Sequence, residues 1–325
     1  MAGRSLGYNE QTNQLTELRG VDPSYADVPV EASRSALRTL DRAFKAFFRR
    51  VKSGEAPGYP RFKGRDRFDS FGLGRVSVEG KKVRVPKLGP VKFRKYRELE
   101  GEILDVRLIF KTGKWSVVFS CDVGPVPQKI AIGSATGIDL GIISFATLSD
   151  GKKIENPRFF RKGEYQLACR QRALARKQRG SRNRSIAKLL VQKSYKHIRN
   201  QRLDFARKLA VELLRRNDCV VYEDLNLKAL TAGRLAKSVR DAAWGTFIKA
   251  LTSKAECAGK WAVPVNPRGT SIRCSSCTKP VVKLLSDRVH RCGECGLVMD
   301  RDENAAKNIL ALGRSAAVVF GQSPN

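Results

Sequence analysis

Two Cys-x-x-Cys pairs, Cys274-Ser-Ser-Cys277 and Cys292-Gly-Glu-Cys295, lie fourteen residues apart near the end of the chain. Each pair sets two thiolates on one tight turn, and two such turns complete a tetrahedron. The spacing therefore predicts one structural zinc ion stapling a segment too short to hold a core of its own. Four thiolates fill the coordination shell and leave no open position, so this metal is not expected to be catalytic. His290 stands close to the second pair and reads as a bystander. Cys121, Cys169, Cys219 and Cys257 have no such partners and read as small core residues.

The chemistry must then come from carboxylates. Asp139 interrupts an apolar run (Gly-Ile-Asp-Leu-Gly, 137–141), Glu223 ends another (Val-Val-Tyr-Glu-Asp, 220–224), and Asp302 lies in Asp300-Arg-Asp302-Glu-Asn304-Ala-Ala. An acid in or at the end of a hydrophobic strand is costly to bury unless it is paired or holds a metal. Three of them drawn together from separate elements would suit hard divalent cations, Mg²⁺ or Mn²⁺. Two such ions about 4 Å apart can activate water and stabilise the leaving oxygen of a phosphodiester. His197 and His290 are the only histidines, which makes metal-activated water the natural nucleophile. Each acid also has a plainer reading. Asp139 could be a turn residue, Glu223 or Asp224 could cap the next helix, and Asp300 or Asp302 could be an N-cap. Physics alone does not separate Asp300 from Asp302.

The partner is legible in the charge. The 325 residues carry 63 Lys+Arg against 31 Asp+Glu, a formal charge of +32. That is far beyond what solubility needs, and it excludes most ordinary metabolic enzymes in favour of a polyanionic partner, nucleic acid before a membrane surface. Residues 158–216 alone hold 19 Lys+Arg and 3 Asp+Glu in a helical pattern that Gly-Ser-Arg-Asn at 180–183 divides into two long helices. Like charges at i,i+4 repel, so helices this basic are expected to be neutralised by phosphates, with Arg176, Lys177, Arg179 and Arg182 as candidate contacts. No apolar run approaches the roughly 20 residues a bilayer span needs, and the first residues do not pattern as a signal peptide. A cytoplasmic protein working at the nucleoid, with no membrane partner, is expected.

Several elements would have to position these groups. Residues 31–51 place Leu37, Leu40, Phe44, Phe47, Phe48 and Val51 at helical spacing, which reads as an amphipathic helix, either a core helix with a solvated basic face or one that contacts nucleic acid directly. In 54–73, Tyr59, Phe62, Phe68 and Phe71 alternate with Arg61, Lys63, Arg65 and Arg67, a pattern that fits either base stacking or a half-buried strand. Short alternating runs over about 66–123 read as a small antiparallel sheet or barrel. Residues 129–155 give three strands, the first carrying Asp139; 219–225 and 260–267 give two more, with a helix over about 235–258 between them. The order is βββ–α–β–α–β–α, with the cysteines inserted before the last helix.

In combination, Gly-Ile-Asp-Leu-Gly (137–141), Tyr-Glu-Asp-Leu (222–225), the cysteine ribbon and Asp-Arg-Asp-Glu-Asn-Ala-Ala-Lys-Asn-Ile-Leu (300–310) resemble the TnpB (OrfB) family of transposon-encoded proteins. That family is long labelled putative transposases and is related to type V CRISPR effectors and Fanzor proteins. Pro-Gly-Tyr-Pro-Arg-Phe-Lys from residue 57 resembles its wedge segment, and Leu-Asp-Arg-Ala-Phe-Lys-Ala-Phe-Phe-Arg-Arg within 31–51 its helix at that place. The resemblance implies a mixed α/β chain. A remnant of the helical recognition region (1–53) would precede a wedge β-barrel (54–128) and a RuvC, ribonuclease-H-like domain (129–268) with the basic insertion 158–216. A four-cysteine zinc ribbon (269–299) and the final RuvC helix and tail (300–325) would follow. It implies Asp139, Glu223 and Asp302 as the metal-binding acids, Asp302 because the family reads Asp-x-Asn-Ala-Ala. It also implies guide RNA and target DNA as partners, with base pairing reading the sequence while the protein holds phosphates. Family members begin with a strand and a first recognition helix that this sequence does not show, so it reads as N-terminally short and is expected to cut poorly in this form.

The function implied is RNA-guided DNA cleavage by two metal ions. The alternatives are a truncated or repurposed, catalytically silent RNA- and DNA-binding relative, and a transposase that joins DNA directly. A sugar-kinase-type ATPase shares the Gly-Ile-Asp-Leu-Gly strand, but Ile142 and Ile143 stand where its phosphate-binding threonines would follow.

Overall fold

The computed structural model describes residues 6–64, 68–284 and 287–321. The chain divides into two compact units, Met1–Pro125 and Val126–Asn325.

In the first unit, α1 (Tyr8–Val21), the short α2 (Pro23–Ala26) and α3 (Val30–Lys52) precede six strands. These are β1 (Ser70–Gly74), β2 (Val78–Glu79), β3 (Lys82–Val85), β4 (Gly89–Lys92), β5 (Glu102–Lys111) and β6 (Lys114–Asp122). The expected small barrel takes the form of two three-stranded antiparallel sheets, β1-β5-β6 and β2-β3-β4, around Leu73, Val83, Val85 and Val106. Helix α3 meets β1 through small residues. Ser35 is buried, and its Oγ accepts the Gly72 N–H at 3.0 Å.

The exposure of its apolar stripe goes against the core reading of this helix. The apolar stripe does not form a core: Leu40, Phe48 and Val51 are exposed, Phe48 by 59%. Tyr59 meets Phe44 and Phe47 edge-on at 5.6 and 5.4 Å, so the aromatics satisfy one another at the surface. Among the described residues the alternating segment after α3 forms no strand before Ser70, and Phe62 is 91% exposed. Arg65 and Arg67 lie outside the described residues.

The second unit is built on one five-stranded sheet. β7 (Ala135–Leu140), β8 (Ser144–Leu148) and β9 (Lys153–Glu155) run as an antiparallel meander; β10 (Cys219–Glu223) and β11 (Trp261–Val265) then add in parallel beside β7. The resulting order is β11-β10-β7-β8-β9. Between β9 and β10 run two long helices, α4 (Phe159–Ala175) and α5 (Arg182–Arg216). Between β10 and β11 come α6 (Leu227–Leu230), α7 (Ala236–Ala242) and α8 (Trp244–Cys257), where one continuous helix was expected. The break is Ala243, whose left-handed backbone (φ 57°) ends α7 and starts α8. A hairpin of β12 (Val289–Arg291) and β13 (Val298–Asp300) then leads into α9 (Arg301–Gly321).

Alternation along the strands gives the sheet two cores. Val220 and Tyr222 join Ile138, Leu209, Leu213, Phe247 and Leu251 on the side of α5 and α8. Cys219 and Val221 join Val263, Val265 and Ile309 on the side of α9. Among the described residues no helix is long and apolar enough to cross a membrane.

Candidate functional site

Strand register and one close helix crossing bring the acids to the same end of the sheet. β7 and β10 are parallel, with Tyr222 beside Ile138, so the next pair up the strands is Glu223 and Asp139. Both side chains point to the α9 face, since Val221 lies against α9 and residues two apart share a face. Helix α9 approaches β7 at Gly137, where a Cβ would stand 2.1 Å from the Ala306 carbonyl oxygen. Asp139 lies two residues up the strand from that contact, and Asp302 one helical turn before it. Gly137 is thus what lets Asp302 come down beside Asp139.

The electrostatics record the convergence. Burial, then the charges of Glu223 and Asp302, push the Asp139 carboxyl up to about 7. Burial also raises Glu223, which is 6% exposed, against a hydrogen bond from Thr270. Thr270 Oγ1 lies 2.6 Å from Glu223 Oε1 and 2.9 Å from the Pro267 carbonyl, and its one proton serves one acceptor at a time. Asp302 Oδ1 accepts from Arg301 Nε at 3.3 Å.

Asp300 is occupied otherwise. Its Oδ1 accepts the N–H groups of Asp302 and Glu303 at 3.0 and 3.2 Å, capping α9, and its Oδ2 pairs with Lys153 at 2.6 Å. Against the cost of partial burial, these partners hold its carboxyl below the usual range. Of the two acids that sequence physics left open, Asp300 is the helix cap, and Asp302 has the larger of their two charge effects on Asp139.

The four cysteine sulfurs form a tighter group. Cys274 Sγ is 3.6 Å from Cys295 Sγ and Cys277 Sγ 3.5 Å from Cys292 Sγ, and all four lie within 4.8 Å of one another. Among the described residues this is the one set of three or more potential ligands so close; the carboxylates stand further apart, with Glu223 turned to Thr270 and Asp302 to Arg301. The two knuckles share one backbone design. Cys274 N–H donates to Lys279 O and Thr278 N–H to Cys274 O; Cys292 N–H donates to Leu297 O and Gly296 N–H to Cys292 O. The residue after each second cysteine is left-handed, Gly296 at φ 72° without strain and Thr278 at φ 63° with it. Hydrogen bonds from the Cys295 and Glu294 N–H groups bring the Cys292 thiol down to about 7. This is a site that could hold zinc. His290 is buried and neither ring nitrogen joins it.

Two residues fasten the ribbon to the acid site. Asn304, fully buried in α9, accepts Ser275 N–H at 2.9 Å and donates to Arg273 O at 2.7 Å; Asn308 Nδ2 donates to Thr270 O at 2.8 Å. Sequence reading saw Asn304 only as part of a motif and missed Thr270, Asn308 and Asp241. The buried Asp241 of α7 accepts the Phe160 and Arg161 N–H groups at the start of α4 and pairs with Arg202 of α5 at 3.0 Å, which clamps the root of the basic hairpin. A polar residue inside an otherwise amphipathic helix was the one signal available for it.

Arg176, Lys177, Arg179 and Arg182 are exposed together at the hairpin tip, whose carbonyls at Leu174 and Lys177 are tied down by Arg184. They lie apart from the acids in sequence, and no contact joins them to that site.

The family described as a probable transposase, OrfB of IS605, matches residues 118–233, and the TNB domain of Cas12f1-like proteins matches residues 244–309. A Streptomyces pristinaespiralis protein provisionally named an RNA-guided DNA endonuclease is 34% identical over 97% of this chain and 79% of its own length. InsQ of Escherichia coli (strain K12), with the same provisional name, is 30% identical over 95% and 81%. Among solved structures, a Cas12f1 complex with guide RNA and target DNA matches with a TM-score of 0.53 at 15% identity, over 93% of this chain and 79% of that one, which is a likeness of fold.

Proposed function

The chain belongs to the OrfB (TnpB) family whose relatives bear the provisional name RNA-guided DNA endonuclease, and from that premise we propose that it is itself a metal-dependent, RNA-guided DNA endonuclease of RuvC type. The observation that carries the reading is the placement of Asp139, Glu223 and Asp302 on one face at one end of the sheet, with Asp139 pushed up to about 7 by burial and by its two acidic neighbours. Such a set of hard oxygen donors fits Mg²⁺ or Mn²⁺. When bound, a pair of these ions supplies an activated water and charge to stabilise a leaving phosphate oxygen. The protein's own residues hold the carboxylates in place: Thr270 fixes Glu223, Asp300 caps the helix that presents Asp302, and Asn308 of α9 holds Thr270 through its carbonyl. The basic hairpin offers the positive surface that guide RNA and target DNA require, through phosphates rather than base edges.

The test is cleavage of guide-matched DNA by the protein loaded with RNA transcribed from DNA flanking its gene. Cutting should need Mg²⁺ and disappear in Asp139→Ala while DNA binding persists, because one carboxylate adds little attraction for a polyanion. Cleavage that survives EDTA, or continues in Asp139→Ala, removes the two-metal reading. Guide-dependent binding with no cutting by the unaltered protein selects the alternative of a silent nucleic-acid-binding relative.

A further inference from the structure

The first unit carries a cavity in which the acids have no part. Strand β6 sets Val117, Phe119 and Cys121 on one face, two residues apart, and with Phe93 they floor a space of about 540 Å³. The Phe93 and Phe119 rings meet at 5.3 Å, and both pack against the core that holds Leu73 and Val106. The opposite wall is the loop between β4 and β5, fixed at both ends. Phe93 N–H donates to the Lys81 carbonyl at 2.9 Å. Gly101, at φ 77°, comes so near β6 that a Cβ would stand 1.8 Å from the Asp122 carbonyl oxygen, so only glycine closes the loop there. The cavity is therefore preformed, and its size falls within the roughly 300–1,000 Å³ usual for ligand sites. On the solvent side it is lined by Arg94, Tyr96 and Arg97. The Arg94 guanidinium lies 5.1 Å from the centre of the Tyr96 ring, and among the described residues neither arginine makes an ion pair.

We propose that this cavity takes one unpaired nucleotide: its base lies against Phe93 and Phe119 under Tyr96, and its flanking phosphates meet Arg94 and Arg97. The inference rests on the reading of the chain as a nucleic-acid-binding protein and adds a site to it. An apolar floor, an aromatic ring and free guanidinium groups at the rim are what a splayed-out base and its backbone require, since unpaired bases stack on aromatic rings and on guanidinium planes. The lining also holds Glu98, paired with Lys95, and Glu100. Carboxylates there disfavour a bare phosphate ion, whereas a base amino group can donate to one. A duplex keeps its bases stacked on one another and offers the cavity nothing to hold. Single-stranded RNA and single-stranded DNA share the required chemistry, and the 2′-OH separates them.

Cys121 on the cavity floor supplies a local reporter, and the exposed Cys257 of the second unit a control. The full chain is alkylated with iodoacetamide and each cysteine is followed by mass spectrometry. The probes are short single-stranded RNA, the same sequence as single-stranded DNA, the matching duplex and an abasic strand, each at saturation. Cys121 should lose its reactivity with a single strand and keep it with the duplex and the abasic strand, while Cys257 stays reactive throughout. Protection by RNA alone or by DNA alone supports the site and identifies the source of the nucleotide; protection by both supports a site that ignores the 2′-OH. Tyr96 is 83% exposed, so Tyr96→Ala should melt like the unaltered protein. It should bind the single strand about five- to a hundredfold more weakly, the worth of one stacked base, and Tyr96→Phe should bind normally. Equal protection by duplex or abasic strand, protection of Cys257 as strong as that of Cys121, or unchanged binding by Tyr96→Ala overturns the proposal. None of these readouts needs cleavage. Guided cutting by a protein whose Cys121 is never protected would sink this inference and leave the nuclease reading standing; protection without cutting would do the reverse.

Discussion

Thr270, at the root of the zinc ribbon, sets its hydroxyl 2.6 Å from Glu223 Oε1, and both residues are buried. A carboxylate at the end of a strand is in this way oriented by the loop that leads into the four-cysteine group and that Asn304 and Asn308 of α9 hold at the Thr270 and Arg273 carbonyls. The root of the ribbon thereby reaches the acid site, although a zinc ion held by its four thiolates would have no open position.

The hydroxyl is replaceable by another hydroxyl and by nothing else. Thr270→Val keeps the volume and leaves Glu223 Oε1 without its donor, a loss of about 1–3 kcal/mol in stability. Partners that orient a metal-binding carboxylate are typically worth about 10–100-fold in metal affinity or activity. Thr270→Val should therefore lower Mn²⁺ affinity and cleavage in that range, while Thr270→Ser restores both. Equal defects in Val and Ser would mean that packing at this position matters and the hydrogen bond does not.

The ribbon's metal should be measurable and its removal local. One zinc per chain is expected by metal analysis. Cys274→Ser or a strong chelator should free residues about 270–298 to protease while the sheet between α5 and α9 keeps its circular dichroism. Cleavage should fall with the ribbon, because Thr270 goes with it. Full activity in a zinc-free protein would disconnect the ribbon from Glu223.

Much of this site was legible from residue types. Thiolates at fixed spacing and acids interrupting apolar strands are local signals, and they survive without any knowledge of packing. The choice between Asp300 and Asp302 was not local: it depends on Lys153, nearly 150 residues earlier, and on how α9 crosses β7 at Gly137. Thr270 escaped for the same reason, since nothing beside it in sequence is acidic. Helix α3 misled because a periodic apolar stripe says that a face is apolar, not that it is covered. Its burial against β1 runs through Ala32 and Ser35, residues that carry little periodic signal.

The two acids before α9 should separate cleanly on substitution. Asp300→Asn keeps a cap oxygen and loses the Lys153 pair; about 1 kcal/mol of stability and several-fold in rate are the expected costs. Asp302→Asn should abolish metal-dependent cleavage while leaving the helix capped. The reverse pattern would transfer the metal role to Asp300.

Crowded acids should make the metal-free protein less stable as pH rises. The Asp139 carboxyl is raised from near 4 to about 7, so the folded state binds the extra proton between those values. Stability therefore falls as pH climbs through that window, and the loss is complete above about 7. Asp139→Asn removes the penalty, so without metal it should melt higher than the unaltered protein at pH 8, by on the order of 2–4 kcal/mol, and alike near pH 4. Mg²⁺ should stabilise the unaltered protein at pH 8 and do little for Asp139→Asn. A variant that melts lower at both pH values would show that Asp139 stabilises the fold by contacts and not by holding a cation.

The hairpin tip is the part of the charge whose purpose can be isolated. Arg176, Lys177, Arg179 and Arg182 are exposed side by side, away from the buried contacts of α4 and α5, so replacing all four with Gln should leave the melting temperature nearly unchanged. If they hold phosphates, each neutralised phosphate releases condensed counterions, and the slope of log K against log salt counts them. The fourfold variant should flatten that slope by up to about one unit per lost contact, and weaken binding of guide RNA or DNA alike whatever the sequence. Cleavage at low salt and high nucleic-acid concentration should recover, because the acids are untouched. A slope and affinity equal to those of the unaltered protein would return the tip to a solvated surface and move the phosphate contacts elsewhere along α4 and α5. Loss of cleavage that no concentration restores would mean that the tip does more than hold phosphates.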